Sequence, residues 1–153
     1  MNSTTHTSPA KRVRLRVAWA MAITLGLAAL VRPLSRIITA QLGIELDAIV
    51  PLLTTLAISV VWILVAGLRD RHNPLATLMA AGAVYAVGAT LVSAVLSPVL
   101  DGTLAGPLAH PMMIPMLIVT NLVWGAITGV IAMAVQRIRR NGRVHRRADE
   151  DAP

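Results

Sequence analysis

Arg32, Arg36, Glu45, Asp47, Asp101 and His110 are the residues whose types could do chemistry together, because each falls in a connection on one side of the chain's apolar runs. Guanidinium forks match phosphate and carboxylate groups, and carboxylates with an imidazole can ligate a cation, so a polar headgroup or metal site is conceivable there. The plainer expectation is a set of solvated loop charges, since surface charges are the norm. Asn121 is the most polar side chain inside an apolar run. An amide in hydrocarbon needs hydrogen-bond partners, which points to interhelical bonding ahead of substrate contact. Thr54, Thr55, Ser59, Ser93 and Thr120 can return their hydroxyls to carbonyls of their own helices.

Several chemistries are excluded. None of the seven acidic residues, 14 basic residues or four histidines falls at the middle of an apolar run. A charge in hydrocarbon is costly and marks function, so its absence weighs against a proton relay, an ion-coupled carrier or intramembrane acid-base catalysis. No cysteine is present, which removes disulfides and thiolate chemistry. The chain carries no HExxH, P-loop, GxSxG or Rossmann pattern and no metal-spaced histidine pair. No catalytic residue, cofactor or metal is therefore expected, and the chain does not read as an enzyme.

The elements that must position these residues follow from apolar run length. Of 153 residues, 56% are hydrophobic and only 14% charged, and the mean hydropathy is +0.69. A hydrocarbon core of about 30 Å needs roughly 20 apolar residues per helix. Four runs qualify and predict transmembrane helices over about 14–32, 48–68, 74–97 and 112–136. The first run, Val17 to Val31, is short, but Arg16 and Arg32 can extend it by snorkelling. A cleaved signal is the lesser reading, because no small-x-small site follows. Residues 1–10 predict a disordered tail, 11–136 one four-helix transmembrane domain, and 137–153 a basic then acidic tail. Leu34, Ile37, Ile38 and Leu42, interleaved with Ser35, Arg36, Thr39 and Gln41 and closed by Gly43, form an amphipathic pattern suited to the outer interface.

Twelve of the 14 Lys and Arg lie on one side, in the N-terminal segment, at Arg69 and Arg71, and in the C-terminal tail. Cytoplasmic loops retain such residues, so both termini are expected inside and a dual topology is disfavoured. Abundant Ala, Leu, Val and Arg suit a bacterial protein of the cytoplasmic (plasma) membrane. The tail from Arg137 to Arg147 fits attraction to anionic headgroups or a simple topology signal. Nucleic acid is not an expected partner, for no motif or aromatic platform supports it.

The chain also resembles itself at an offset near 66 residues. Trp19-Ala20, Thr24-Leu25, Ala28 and Leu30 align with Tyr85-Ala86, Thr90-Leu91, Ala94 and Leu96; Pro33 aligns with Pro98, Pro51 with Pro115, and Trp62 with Trp124. This order predicts a tandem duplication of a helical hairpin, the halves related by a parallel pseudo-twofold along the membrane normal. Ala20, Thr24 and Ala28 form a small-residue stripe, as do Gly82, Ala86, Thr90 and Ala94, and the two are expected to face each other. Asn121, Gly125 and Gly129 mark a third packing face, buried within the four-helix bundle or against a second copy.

The chain thus reads as an all-α, four-helix integral membrane protein. An accessory or interaction protein, packing with itself or a larger membrane complex, ranks first. A small-solute or lipid transporter, or a subunit of one, built from two repeated hairpins ranks second. The latter requires a polar cavity between the halves lined by Asn121 and hydroxyls.

Overall fold

The computed structural model describes residues 17–44, 47, 49–69 and 72–150, with backbone alone at 101 and 145–150. The described residues form five α-helices: α1 (Trp19–Ala28), α2 (Val31–Gln41), α3 (Ile49–Gly67), α4 (Pro74–Asp101) and α5 (Met113–Glu150). Four helical stretches are long and apolar enough to cross a membrane: Trp19–Gln41, Ile49–Gly67, Pro74–Leu100 and Met113–Val144. At 1.5 Å per residue the 19 residues of α3 span about 28 Å, close to the hydrocarbon thickness. Leu52, Leu53, Leu56, Val60, Val61 and Leu64 of that helix all point outward. Hydrocarbon solvates such a surface without penalty, and the four helices are consistent with a multi-pass membrane protein.

Helix ends follow from local chemistry. The first span does not stop at Arg32: it is interrupted at Ala29-Leu30 and resumes as α2. Pro33 has no N–H for the Ala29 carbonyl, which the backbone N–H of Arg32 meets instead at 3.2 Å. Asn73 caps α4, its side chain accepting from the Ala76 N–H at 3.4 Å, with Pro74 in the first turn. That helix runs past Ser97 through Pro98 to Asp101 and ends at Gly102, whose φ of 68° is the left-handed cap that glycine adopts freely. Helix α5 continues beyond Gln136 as far as Glu150, because loss of apolarity ends a span but does not end a helix. The segment 1–16, and with it the expected disordered tail and the start of the first span, lies outside the described residues.

Helix α4 packs against both α1 and α5, and α3 lies along α5. Contacts fix the directions. Ala18 meets Thr77 while Leu30 meets Gly88, so α1 and α4 run parallel. Gly129 meets Leu75 while Gly125 meets Leu78, so α4 and α5 are antiparallel. The core joins Met21, Ala22, Leu25 and Ala29 to Trp62, Ala66, Leu78, Ala81 and Ala132. One end, the basic end, gathers the start of α1, the α3–α4 connection and the polar part of α5. There Gln136 donates its side-chain amide to the Arg69 carbonyl, and Arg139 reaches the Gly67 carbonyl at 3.3 Å. Both occupy carbonyls that the end of α3 leaves free, the second with a cation suited to a helix C-terminus. The opposite end carries α2 and the connection 102–112.

The small-residue faces pair differently from the sequence expectation. Ala20, Thr24 and Ala28 are exposed, and α1 meets α4 through Ala22, Gly26 and Ala29 instead. A side chain on Gly26 would place its Cβ 2.7 Å from the Ala81 carbonyl oxygen, so the helices approach closest there. Gly82 and Ala86 are buried, but Gly82 abuts the backbone of Asn121 in α5 and does not face α1; Thr90 and Ala94 are half-buried. Gly125 and Gly129 pack on Leu78 and Leu75. The third face is thus used inside the chain, between α4 and α5. Its backbone contact leaves no room for another copy at these positions.

Candidate functional site

The polar and aromatic groups of the spans converge at one seam. A cavity of about 40 Å³ is lined by Ala29, Arg32, Thr55, Ile58 and Trp62 on one side and by Tyr85, Asn121 and Trp124 on the other. It lies between the two hairpins. By helical rise, Thr55 sits about 9 Å and Asn121 about 12 Å inside the ends of their helices. The two tryptophans are anchored by their indole N–H groups. Trp62 donates to the Leu25 carbonyl at 3.3 Å, and Trp124 to the Ser59 hydroxyl oxygen at 3.0 Å. Ser59 in turn donates to the Thr55 carbonyl at 2.8 Å, so the aromatic wall is tied to the backbone of α1 and α3.

Asn121 does not bridge helices. Its amide nitrogen donates to the Leu117 carbonyl at 2.8 Å, one turn back in α5, and Thr55 likewise donates to Pro51 at 2.8 Å. Hydroxyl or amide groups that close on their own helix satisfy their donors cheaply in hydrocarbon. Thr54 returns its hydroxyl to Val50 in the same way, at 2.9 Å. Packing at Asn121 comes from its backbone, which lies on Gly82.

A second, open cavity of about 330 Å³ follows the first along the same helices. Its walls are Pro33, Arg36, Ile37, Ala40 and Gln41 of α2, and Ala89 and Ser93 of α4. Arg32, Pro33, Arg36, Ile37 and Ala40 of α2 are spaced by three and four residues or adjoin, which is one helical face. Tyr85, Ala89 and Ser93 are spaced by four, again one face. The small aromatic cavity and the open vestibule therefore neighbour each other along α2 and α4, and together they are called the seam. The break at Ala29-Leu30 lets α2 carry Arg36 along it.

Of the sequence-predicted outer cluster, the structure assigns only Arg32 and Arg36 to this seam. Asp47 and His110 are exposed, the side chain of Asp101 is not described, and Glu45 lies outside the described residues. No group of three His, Cys, Asp or Glu able to hold a metal is found among the described residues. Sequence reasoning missed Trp62, Trp124 and Tyr85 as cavity lining. The alignment of Trp62 with Trp124 along the sequence was the available signal. No family model, curated protein or solved structure matches this chain, so its function is argued from this site alone.

The two hairpins are unequal. Glycine contacts hold α4 to α5, whereas α1 meets α3 through Trp62 and its neighbours in the core. Helix α2 is helical, but the connection 102–112 is not, for Gly102, Gly106, Pro107 and Pro111 interrupt it. Ser97 and Ser93 pin that connection to α4 through the Ala105 carbonyl, at 3.3 and 3.2 Å.

Proposed function

We propose that this chain is a carrier, or the membrane subunit of one, for a small solute or lipid taken up in the seam between its hairpins. The supporting observation is a pair of neighbouring cavities, an open vestibule at Arg36 and a small aromatic chamber at Trp62, Trp124 and Asn121, lined by adjacent stretches of the same chain segments. A tightly packed centre would leave such a carrier nowhere to bind. Pockets of several hundred Å³ with few polar groups are typical ligand sites. We place the vestibule on the outer face of a bacterial plasma membrane and both termini in the cytoplasm, on the strength of the lysine and arginine distribution. The basic tail then faces anionic headgroups of the inner leaflet. The halves are read as duplicated hairpins that diverged, the paired tryptophans meeting at one cavity.

The native chain lacks cysteine, which permits a direct test. Ala89→Cys and Ala40→Cys, each made alone, should react in intact cells with a membrane-impermeant methanethiosulfonate. Ile131→Cys, on the lipid-facing side of α5, should not. Failure of both seam thiols to react sinks the carrier reading. A fusion reporter at the C-terminus should report the cytoplasm.

The accessory reading keeps one observation in its favour. Ala20, Thr24 and Ala28 remain exposed on α1, a small-residue stripe free to meet another helix. Thr24→Leu should then dissociate an oligomer or complex in mild detergent; a monomer in both forms counts against it.

A further inference from the structure

We infer that the vestibule binds a phosphate group, carried by a lipid headgroup or a small organic phosphate, between Arg36 and Arg32. This deepens the carrier reading and rests on the seam being open. Arg32 and Arg36 are the two Lys or Arg residues on their side of the membrane-spanning runs, and each lines one part of the seam. They stand four residues apart on one face of α2, where like charges repel. Among the described residues neither has an ion-pair partner. An anion that both guanidinium groups can reach relieves that repulsion. Each presents a rigid fork of donors that fits phosphate oxygens in pairs. Arg32 is half-buried and Arg36 exposed, and each lines a cavity wall.

The vestibule dimensions agree with this ligand. Its volume of about 330 Å³ accommodates a phosphate with a short glycerol-like stem, and Ile37, Ala40 and Ala89 offer apolar contact to the stem. The inner cavity, about 40 Å³ beneath it, holds no more than a few water molecules by volume. The phosphate therefore stays at the arginines and only an uncharged tip can point inward. A carboxylate would meet the same forks with fewer oxygens, which places phosphate ahead of it.

The test uses the full chain carrying Ala89→Cys, reconstituted in nanodiscs of digalactosyldiacylglycerol, a lipid without phosphate. Its labelling rate is followed with glycerol 3-phosphate, with inorganic phosphate, and with a rising fraction of phosphatidylglycerol in the disc. Saturable protection of about tenfold is expected from at least one of these, and Arg36→Gln should remove it, the loss of one charge-assisted contact. Arg32→Gln should weaken it. Protection by the soluble phosphates assigns the site to a free organic phosphate; protection by phosphatidylglycerol alone assigns it to a headgroup. Labelling that no phosphate source slows overturns the inference and leaves the carrier reading standing. Protection that survives both substitutions also overturns it. No labelling under any condition defeats the seam itself.

Discussion

Replacing Gly125 by alanine adds one methyl group where α4 and α5 touch backbone to backbone. The new Cβ would lie 2.5 Å from the Leu78 carbonyl oxygen and 3.0 Å from Met79 Cα. Ordinary contact begins near 3.4 Å, so the helices must separate by about 0.9 Å. Backbone atoms cannot rotate away as a side chain can. Overpacking of this kind costs about 1–3 kcal/mol, against which alanine regains up to about 1 kcal/mol of helix propensity. With the full regain the net loss is about 0–2 kcal/mol, and relative to a glycine that gains the propensity without the clash it is about 1–3 kcal/mol. Gly142 lies on the same helix, and a Cβ added there would meet nothing within 4 Å, so Gly142→Ala is the matched control and should be neutral or slightly stabilising. Both can be measured by denaturing-detergent titration in mixed micelles, followed by tryptophan emission from Trp62 and Trp124. Equal stability of the two variants would refute the close α4–α5 approach and, with it, the packing that sets the seam.

Three further outcomes follow from individual contacts. Ser59→Ala removes the acceptor of the Trp124 indole N–H and should cost about 0.6 kcal/mol, a typical polar contact in lipid, with a red shift in tryptophan emission; unchanged emission and stability would count against that bond. Pro33→Ala supplies a backbone N–H at position 33 for the Ala29 carbonyl, so α1 and α2 should join and the new amide should resist hydrogen exchange. Rapid exchange there would show that another cause breaks the helix. Arg139→Gln should withdraw the cation from the Gly67 carbonyl, cost about 0.3–1 kcal/mol and speed exchange at the end of α3, and an unchanged pattern would remove the proposed cap.

The amino-acid order by itself determined the four apolar stretches, because hydrocarbon thickness sets a length that can be counted along a chain. It also marked the glycines that pack closely, and it held Trp62 and Trp124 in a recurring order. Which residues meet was decided only in three dimensions. Ala20, Thr24 and Ala28 have the same spacing and size as a packing stripe, yet the α1 face turned inward is that of Ala22, Gly26 and Ala29. In lipid no hydrophobic drive sorts one apolar face from another, so helix rotation depends on how closely two particular backbones can approach. The same rotation placed Asn121 beside a cavity and satisfied its amide within its own helix. Arg32 and Arg36 were visible as charges in the sequence, but their position along a seam came from the break at Pro33 and from the α4 face opposite. Periodicity along one chain records what a helix can present, and only packing records what it presents it to.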